Sequence, residues 1–182
     1  MNNFEQARQR FTEGIDCLNG GRYEEAERQF KQSLMLLPNR VSTLTNLSTT
    51  QILLKKFAEA RASAEAALLI EPRSFEGWLN LGRAERGEGR FQAAMEAFRQ
   101  AIVIGGPAAN VWKLMADACD GSGDAEAALK CYQAALEQND SDLEALAGMG
   151  AVLNDLGRFD EALVYHDRAL QLDAGHAQVL SN

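Results

Sequence analysis

The sequence predicts an all-α protein built as a linear array of helical hairpins, an α-solenoid. Three observations lead there. One phrase returns every 34 residues: GRYEEAERQFKQSLMLLP from Gly21, KKFAEARASAEAALLIEP from Lys55, GRFQAAMEAFRQAIVIGG from Gly89, GDAEAALKCYQAALEQND from Gly123 and GRFDEALVYHDRALQLDA from Gly157. Within each unit, small residues recur at fixed places where two helices must approach to about 8–10 Å between axes. Glycine and proline fall mostly between the apolar-periodic segments, where helices end.

With Ala7 as position 1, the chain divides without insertion into 7–40, 41–74, 75–108, 109–142 and 143–176. Residues 1–6 precede this frame as an extension of the first helix, and 177–182 fall on the first six positions of a sixth unit. Unit one carries Gly14 at position 8, Ala26 at 20, Phe30 at 24 and Ser33 at 27. Unit two has Ser48, Ala60 and Ala67 at positions 8, 20 and 27, with Leu44 as the large apolar residue at position 4. Unit three repeats the scheme with Trp78, Gly82, Ala94, Phe98 and Ala101, and unit four with Trp112, Ala116, Ala128, Tyr132 and Ala135. Unit five has Leu146, Gly150, Ala162, His166 and Ala169. Small and large residues alternate, so the two helices interlock.

Punctuation sets the helix limits. Gly21, Gly89, Gly123 and Gly157 share position 15, where a left-handed residue ends the first helix and turns the chain back. Pro38 and Pro72 at position 32, and Gly105-Gly106-Pro107 in unit three, stop the second helix. Each hairpin is too small to bury its own apolar face, so the units are expected to stack into one continuous domain.

The pattern resembles the tetratricopeptide repeat, a helix-turn-helix unit of this length with characteristic W, LG, Y, A, F and P positions. The stretch WLNLGRAERGEGRFQAAMEAFRQAI from Trp78 to Ile102 matches most fully, and the resemblance covers 170 of 182 residues. Departures are Arg10 and Glu13 in place of large apolar residues, Lys55 in place of glycine, and His166 in place of an aromatic residue. The resemblance implies a right-handed α-solenoid, or alpha-alpha superhelix, acting as a protein–protein interaction scaffold. Its concave groove would be lined by positions 2, 5, 6, 9, 12 and 13 of each unit and would take a protein or peptide segment.

Read onto this chain, unit one gives Arg8, Phe11, Thr12 and Ile15 to that face, and unit two gives Ser42, Thr45, Asn46 and Thr49. Unit three adds Glu76, Leu79, Asn80, Arg83 and Arg86. Unit four adds Asn110, Lys113, Asp117 and Asp120, and unit five Glu144, Asn154 and Asp155. The candidate binding residues are Asn46, Thr49, Asn80, Arg83, Arg86, Asn110, Lys113 and Asp117. The asparagines at position 6 can donate to and accept from an extended peptide backbone. Arrays resembling the N-terminal superhelix of O-GlcNAc transferase carry a longer ladder of this kind, which Thr12, Leu114 and Gly148 interrupt here. Arg83, Arg86 and Lys113 form a basic centre that favours ligands with acidic residues. The carboxylate clamp of chaperone adaptors is not matched, since only Asn80 fits it.

Net charge and motifs narrow the function further. A net charge of −8 disfavours nucleic acid and anionic lipid. No apolar run reaches the ~18 residues of a membrane helix, and the N-terminus MNNFEQARQRF is no secretory signal, so a cytoplasmic protein is expected. Cys17, Cys119 and Cys131 have no CxxC spacing, and Cys17 and Cys119 share the inward position 11. GEGRF and GSGDA lack the Lys-Ser/Thr of a phosphate loop. Glu24-Glu25 and Asp160-Glu161 fall in a first helical turn, where they offset the helix dipole and share no cleft. His166 sits at a packing position, and neither it nor His176 has a nucleophile or metal-ligand companion. The expectation is therefore a non-enzymatic module without metal or cofactor. Two other readings stay open: a self-assembling oligomerisation scaffold, or the substrate-recruiting N-terminal arm of a larger enzyme such as a glycosyltransferase.

Leu180 and Asn182 take the apolar and ladder positions of the sixth unit, and the last complete unit exposes Leu163, Leu170 and Leu172 without a capping helix. The chain is thus expected to be an N-terminal fragment of a longer protein whose array continues, and to self-associate in isolation through its exposed C-terminal end. The register itself is testable. Ala94→Leu or Ala128→Leu should each cost about 1–3 kcal/mol, because a close helix contact has no room for the added atoms. Unchanged thermal midpoints for both would contradict the assigned positions.

Overall fold

The computed structural model describes the backbone of residues 2–180 and the side chains of 2–173. The described residues form ten α-helices and no strand: α1 Asn3–Asn19, α2 Tyr23–Leu36, α3 Val41–Leu53, α4 Phe57–Ile70, α5 Phe75–Gly87, α6 Phe91–Gly105, α7 Ala109–Gly121, α8 Ala125–Gln138, α9 Leu143–Asp155 and α10 Phe159–Leu180. They group into two compact units, Met1–Ile104 and Gly105–Asn182. The division falls on the Gly105-Gly106-Pro107 break, where Gly106 has φ 81°.

In the first unit α1 packs on α2, α3 on α4, and α2 and α4 each contact the next hairpin's first helix, with α3 beside α5. The small-against-large scheme governs these contacts. Ala26, Ala60, Ala94 and Ser33, Ala67, Ala101 are wholly buried at 0% exposure. A Cβ on Gly14 would come 2.6 Å from the Phe30 ring, and one on Gly82 would come 2.4 Å from the Phe98 ring. Unit two lacks an aromatic at position 24, and there Ser48 Oγ donates to the Ala60 carbonyl at 2.8 Å. A buried hydrogen bond thus replaces ring-on-glycine packing as the close contact between α3 and α4. Between α1 and α2 the two devices act together, with Ser33 Oγ donating to the Ala7 carbonyl at 2.8 Å beside the Phe30–Gly14 contact.

Phe11 and Ile15, which repeat position puts on the ligand face, are half-buried and pack part of their surface against the core formed by Cys17, Ala26, Phe30 and Leu47. The Phe11 and Phe30 rings lie 5.9 Å apart at 52°, an edge-inclined aromatic contact. Asn2 closes the N-terminus of α1 through a capping box with Glu5.

The second unit pairs α7 with α8 and α9 with α10, with α8 against α9. Ala128 and Ala135 are wholly buried, whereas Ala169 at the corresponding place on α10 is only half-buried. Asp124 and Asp142 cap α8 and α9 by accepting from Ala127 N and Ala145 N. No helix among the described residues is long and apolar enough to cross a membrane. The expected start of a sixth unit at 177–182 lies outside the residues whose side chains are described.

Hairpin turns follow the predicted chemistry. Gly21, Gly89, Gly123 and Gly157 take φ of 72°, 74°, 83° and 72°, and Lys55 adopts the same left-handed conformation at φ 58°. Glycine is absent from that equivalent turn of unit two, so Lys55 carries the steric cost that glycine avoids.

One buried charge cluster was not legible in the repeat. Glu27 is 6% exposed. It receives Lys31 Nζ on Oε1 and Lys56 Nζ on Oε2, each at 2.6 Å. Gln51 Nε2 approaches at 3.5 Å. Burial pushes the carboxyl up, but the bonds from Lys31 and Lys56, the charge of Lys31 and the Gln51 bond outweigh it and hold Glu27 at about 2, against its usual 4.5. The folded pKa lies below the unfolded one, so this contribution is complete above about pH 5 and disappears as pH falls through about 2. Glu27→Gln should cost about 1–3 kcal/mol at neutral pH, and its stability should fall less steeply than the parent's between about pH 5 and 2. Parallel acid-denaturation curves for the two proteins would remove Glu27 from the account.

Candidate functional site

In a helix, residues three, four and seven apart share a face. On α3 that rule aligns Ser42, Thr45, Asn46 and Thr49, and on α5 it aligns Glu76, Leu79, Asn80 and Arg83. The two rows meet at a cleft of about 210 Å³ lined by Thr45, Asn46, Thr49, Glu76, Leu79, Asn80 and Arg83. Four of the eight residues proposed from the sequence, Asn46, Thr49, Asn80 and Arg83, therefore converge in one place within the first unit.

The polar groups of this cleft divide into those the fold consumes and those it leaves. Asn46 Nδ2 donates to the Ser42 carbonyl at 2.7 Å and Thr49 Oγ1 to the Thr45 carbonyl at 3.0 Å. Both bonds run back along α3, the usual way a short polar side chain satisfies itself within a helix. Asn80 behaves differently. Its Nδ2 donates across to the Thr45 carbonyl at 3.0 Å and to Thr49 Oγ1 at 2.9 Å, and the residue is 4% exposed. The sequence leads one to expect both edges of this amide to be available to a peptide, whereas the donor edge is committed to tying α5 onto α3. Only the Oδ1 edge is left.

Arg83 is half-buried, and no carboxylate among the described residues forms an ion pair with it. Burial pushes its guanidinium below the usual arginine range, and the neighbouring Arg86 charge pushes in the same direction. A cation held in partial desolvation without a counter-charge is an electrostatic site for an anion.

The remaining candidates lie in the second unit and play other parts. Asn110 is exposed near the start of α7. Lys113 Nζ sits 2.9 Å from Asp142 Oδ2 and 2.6 Å from Glu144 Oε2. Burial pulls the ammonium down, but these two carboxylates outweigh it and raise its pKa. Asp142 is at the same time the cap of α9. Lys113 is thus a tie between α7 and the start of α9 whose charge is more than neutralised, which corrects its assignment to an uncompensated basic centre. Asp117 accepts from Tyr132 Oη at 2.7 Å. Burial raises the Tyr132 phenol, and the Asp117 bond and charge raise it further.

At Gly148 the interruption of the ladder has a steric cause. Gly148 occupies the ladder position of unit five, and a Cβ there would come 2.4 Å from Tyr132 Cζ. His166 packs its ring on Gly150, where a Cβ would come 2.5 Å from Cε1, and Nε2 lies 3.2 Å from Asn154 Nδ2. Cys17, Cys119 and Cys131 are buried. Among the described residues no group of three or more His, Cys, Asp or Glu is arranged to hold a metal ion.

Comparison with known proteins agrees with this architecture. A family model described as tetratricopeptide repeat matches residues 54–109 and 114–177. Human tetratricopeptide repeat protein 33 is 32% identical over 83 residues, which is 46% of this chain and 32% of that protein. The match thus spans about a third of that relative's length. A crystal structure of MamA is 25% identical with a TM-score of 0.82, covering 91% of this chain and 96% of the other. MamA 41-end from Desulfovibrio magneticus RS-1 is 17% identical with a TM-score of 0.85, covering 93% and 96%. TTC0263, a thermophilic TPR protein of Thermus thermophilus, is 22% identical with a TM-score of 0.71, covering 97% and 100%.

The two asparagines of the cleft should separate in a stability measurement. Asn80→Ala removes two cross-helix hydrogen bonds at a buried position, leaving α5 untied from α3 there, so it should cost about 1–3 kcal/mol. Asn46→Ala, whose bond stays within its own helix, should change stability by less than about 0.5 kcal/mol. Equal denaturation midpoints for the two variants would refute the tie.

Proposed function

The chain belongs to the tetratricopeptide repeat family, and we propose that it is an interaction module that binds a peptide or protein segment along the face presented by the first helices of its repeats. In this reading it is a scaffold and not an enzyme. The observation that carries it is the convergence of Asn46, Thr49, Asn80 and Arg83 on one cleft between α3 and α5. Interaction scaffolds need a surface whose polar groups are fixed before the ligand arrives, because preorganisation removes part of the ordering cost of binding. Asn80 supplies that rigidity by locking α5 to α3, and Arg83 supplies an unmatched charge.

A second reading is favoured by a separate observation. On α10, Phe159, Leu163 and Leu170 lie on one helical face and are exposed, with Val164 beside them. An apolar stripe of this kind marks a contact surface, and self-association through the C-terminal hairpin follows from it.

The two readings part experimentally. Affinity capture from the source cell, with bound proteins identified by mass spectrometry, should recover a partner that Arg83→Glu combined with Arg86→Glu loses while helicity by circular dichroism is retained. Light scattering over a concentration series should show association that Leu163→Lys with Leu170→Lys abolishes, if the α10 stripe is the contact. A partner that binds the double arginine variant as well as the parent would remove the cleft from the account and leave the end of the array as the working surface.

A further inference from the structure

The α3/α5 cleft is not uniformly charged along its length. Glu76 and Arg83 stand at its two ends on the same helix, seven residues apart, which at 1.5 Å per residue is about 10 Å. Neither is paired with an opposite charge among the described residues, and they are not paired with each other. Between them lie the side-chain amides of Asn46 and Asn80. Asn80 spends both N–H donors inside the protein, on Thr45 and Thr49, and Asn46 spends one of its two on Ser42. What this leaves for a ligand is an anion, a middle in which amide oxygen acceptors outnumber donors, and a cation.

We propose that this cleft binds an extended peptide with fixed polarity, its carboxylate on Arg83 and a basic side chain, about three residues away, on Glu76. The proposal rests on the peptide-binding reading above and specifies its ligand. A chain in the extended polyproline II conformation advances about 3.1 Å per residue and turns once every three residues, so side chains three apart face the cleft together and span the separation of the two charges. Backbone N–H groups of the bound segment donate to the free Oδ1 edges of the asparagines. The half-buried guanidinium gives the carboxylate a charge-assisted, two-pronged bond in partial shelter from water. That environment makes the contribution larger than for an exposed arginine, and burial already disfavours the empty charged state. The carboxylate can come from an Asp or Glu side chain or from a peptide C-terminus, since both present the same pair of oxygens.

The test is selection of random decapeptides on the full chain, from one library acetylated and amidated at its ends and a second with free C-termini. Asp or Glu should be enriched about tenfold in the amidated library, with Lys or Arg three positions away, if the side chain supplies the carboxylate. Enrichment confined to the free-end library would support the proposal with the C-terminus as the source. Arg83→Gln should abolish the carboxylate preference and keep the basic one, Glu76→Gln should do the reverse, and Arg83→Lys should retain part of the first. Circular dichroism and the thermal midpoint establish that each variant is folded. A carboxylate preference that survives Arg83→Gln, or charge preferences with no fixed spacing, would overturn the proposal. Peptides selected equally by all four proteins but lost on Thr49→Leu would overturn it while leaving the cleft as a peptide site. Selection of no peptide from either library would overturn both.

Discussion

Close approach of the two helices of each hairpin is the constraint on which everything else in this chain depends. A hairpin of two helices of about fourteen residues exposes nearly as much apolar surface as it covers, so it is stable only if its helices nest and its outer faces are covered by neighbours. Nesting is achieved by different chemistry in different units. Phe30 and Phe98 press on Gly14 and Gly82, Ser48 bonds the Ala60 carbonyl, and Gly150 receives the ring of His166. The common element is a second-helix alanine with no exposure, Ala26, Ala60, Ala94 or Ala128, where any larger side chain would separate the axes.

That constraint explains which parts of the fold were legible. Helix boundaries follow from backbone requirements, and backbone requirements show in residue type: left-handed turns select glycine and second-helix ends select proline. Lys55 shows that the repeat frame outranks the local preference. The turn forms at φ 58° without glycine because the helices on either side are already committed to nesting. The inward placing of Cys17 and Cys119 was readable for the same reason, since position 11 must be covered whatever residue occupies it. The double duty of Phe11 and Ile15 was not readable, because the frame assigns a position to one face by analogy between units, and in the first hairpin these apolar side chains also cover part of the core around Phe30.

The candidate site was legible in its location and not in its chemistry. Spacing along α3 and α5 suffices to place Asn46, Thr49, Asn80 and Arg83 on neighbouring faces. It says nothing about where their hydrogen bonds go, because partners lie 31 or 35 residues away in sequence, as for Asn80 with Thr49 and Thr45. Lys113 shows the same limit for charge. Counted by itself it is a cation on the ligand face, but its two carboxylate partners are 29 and 31 residues distant and become visible only in three dimensions.

The division of labour within the repeat follows from these two observations. Positions at the hairpin interface are fixed by sterics and leave little freedom, so variation in function has to be written on the outer side of the first helices. That side is not free of structural duty either. Asn80 and Lys113 each spend their donors tying one first helix to the next, on α5 to α3 and on α7 to the start of α9. A tie of this kind is specific to its pair of units, unlike the alanines that every unit repeats. Residues of the ligand face are therefore of two kinds: those that hold adjacent repeats in register, and those, such as Arg83, that carry charge the fold has not neutralised. Only the second kind can change the ligand without changing the array.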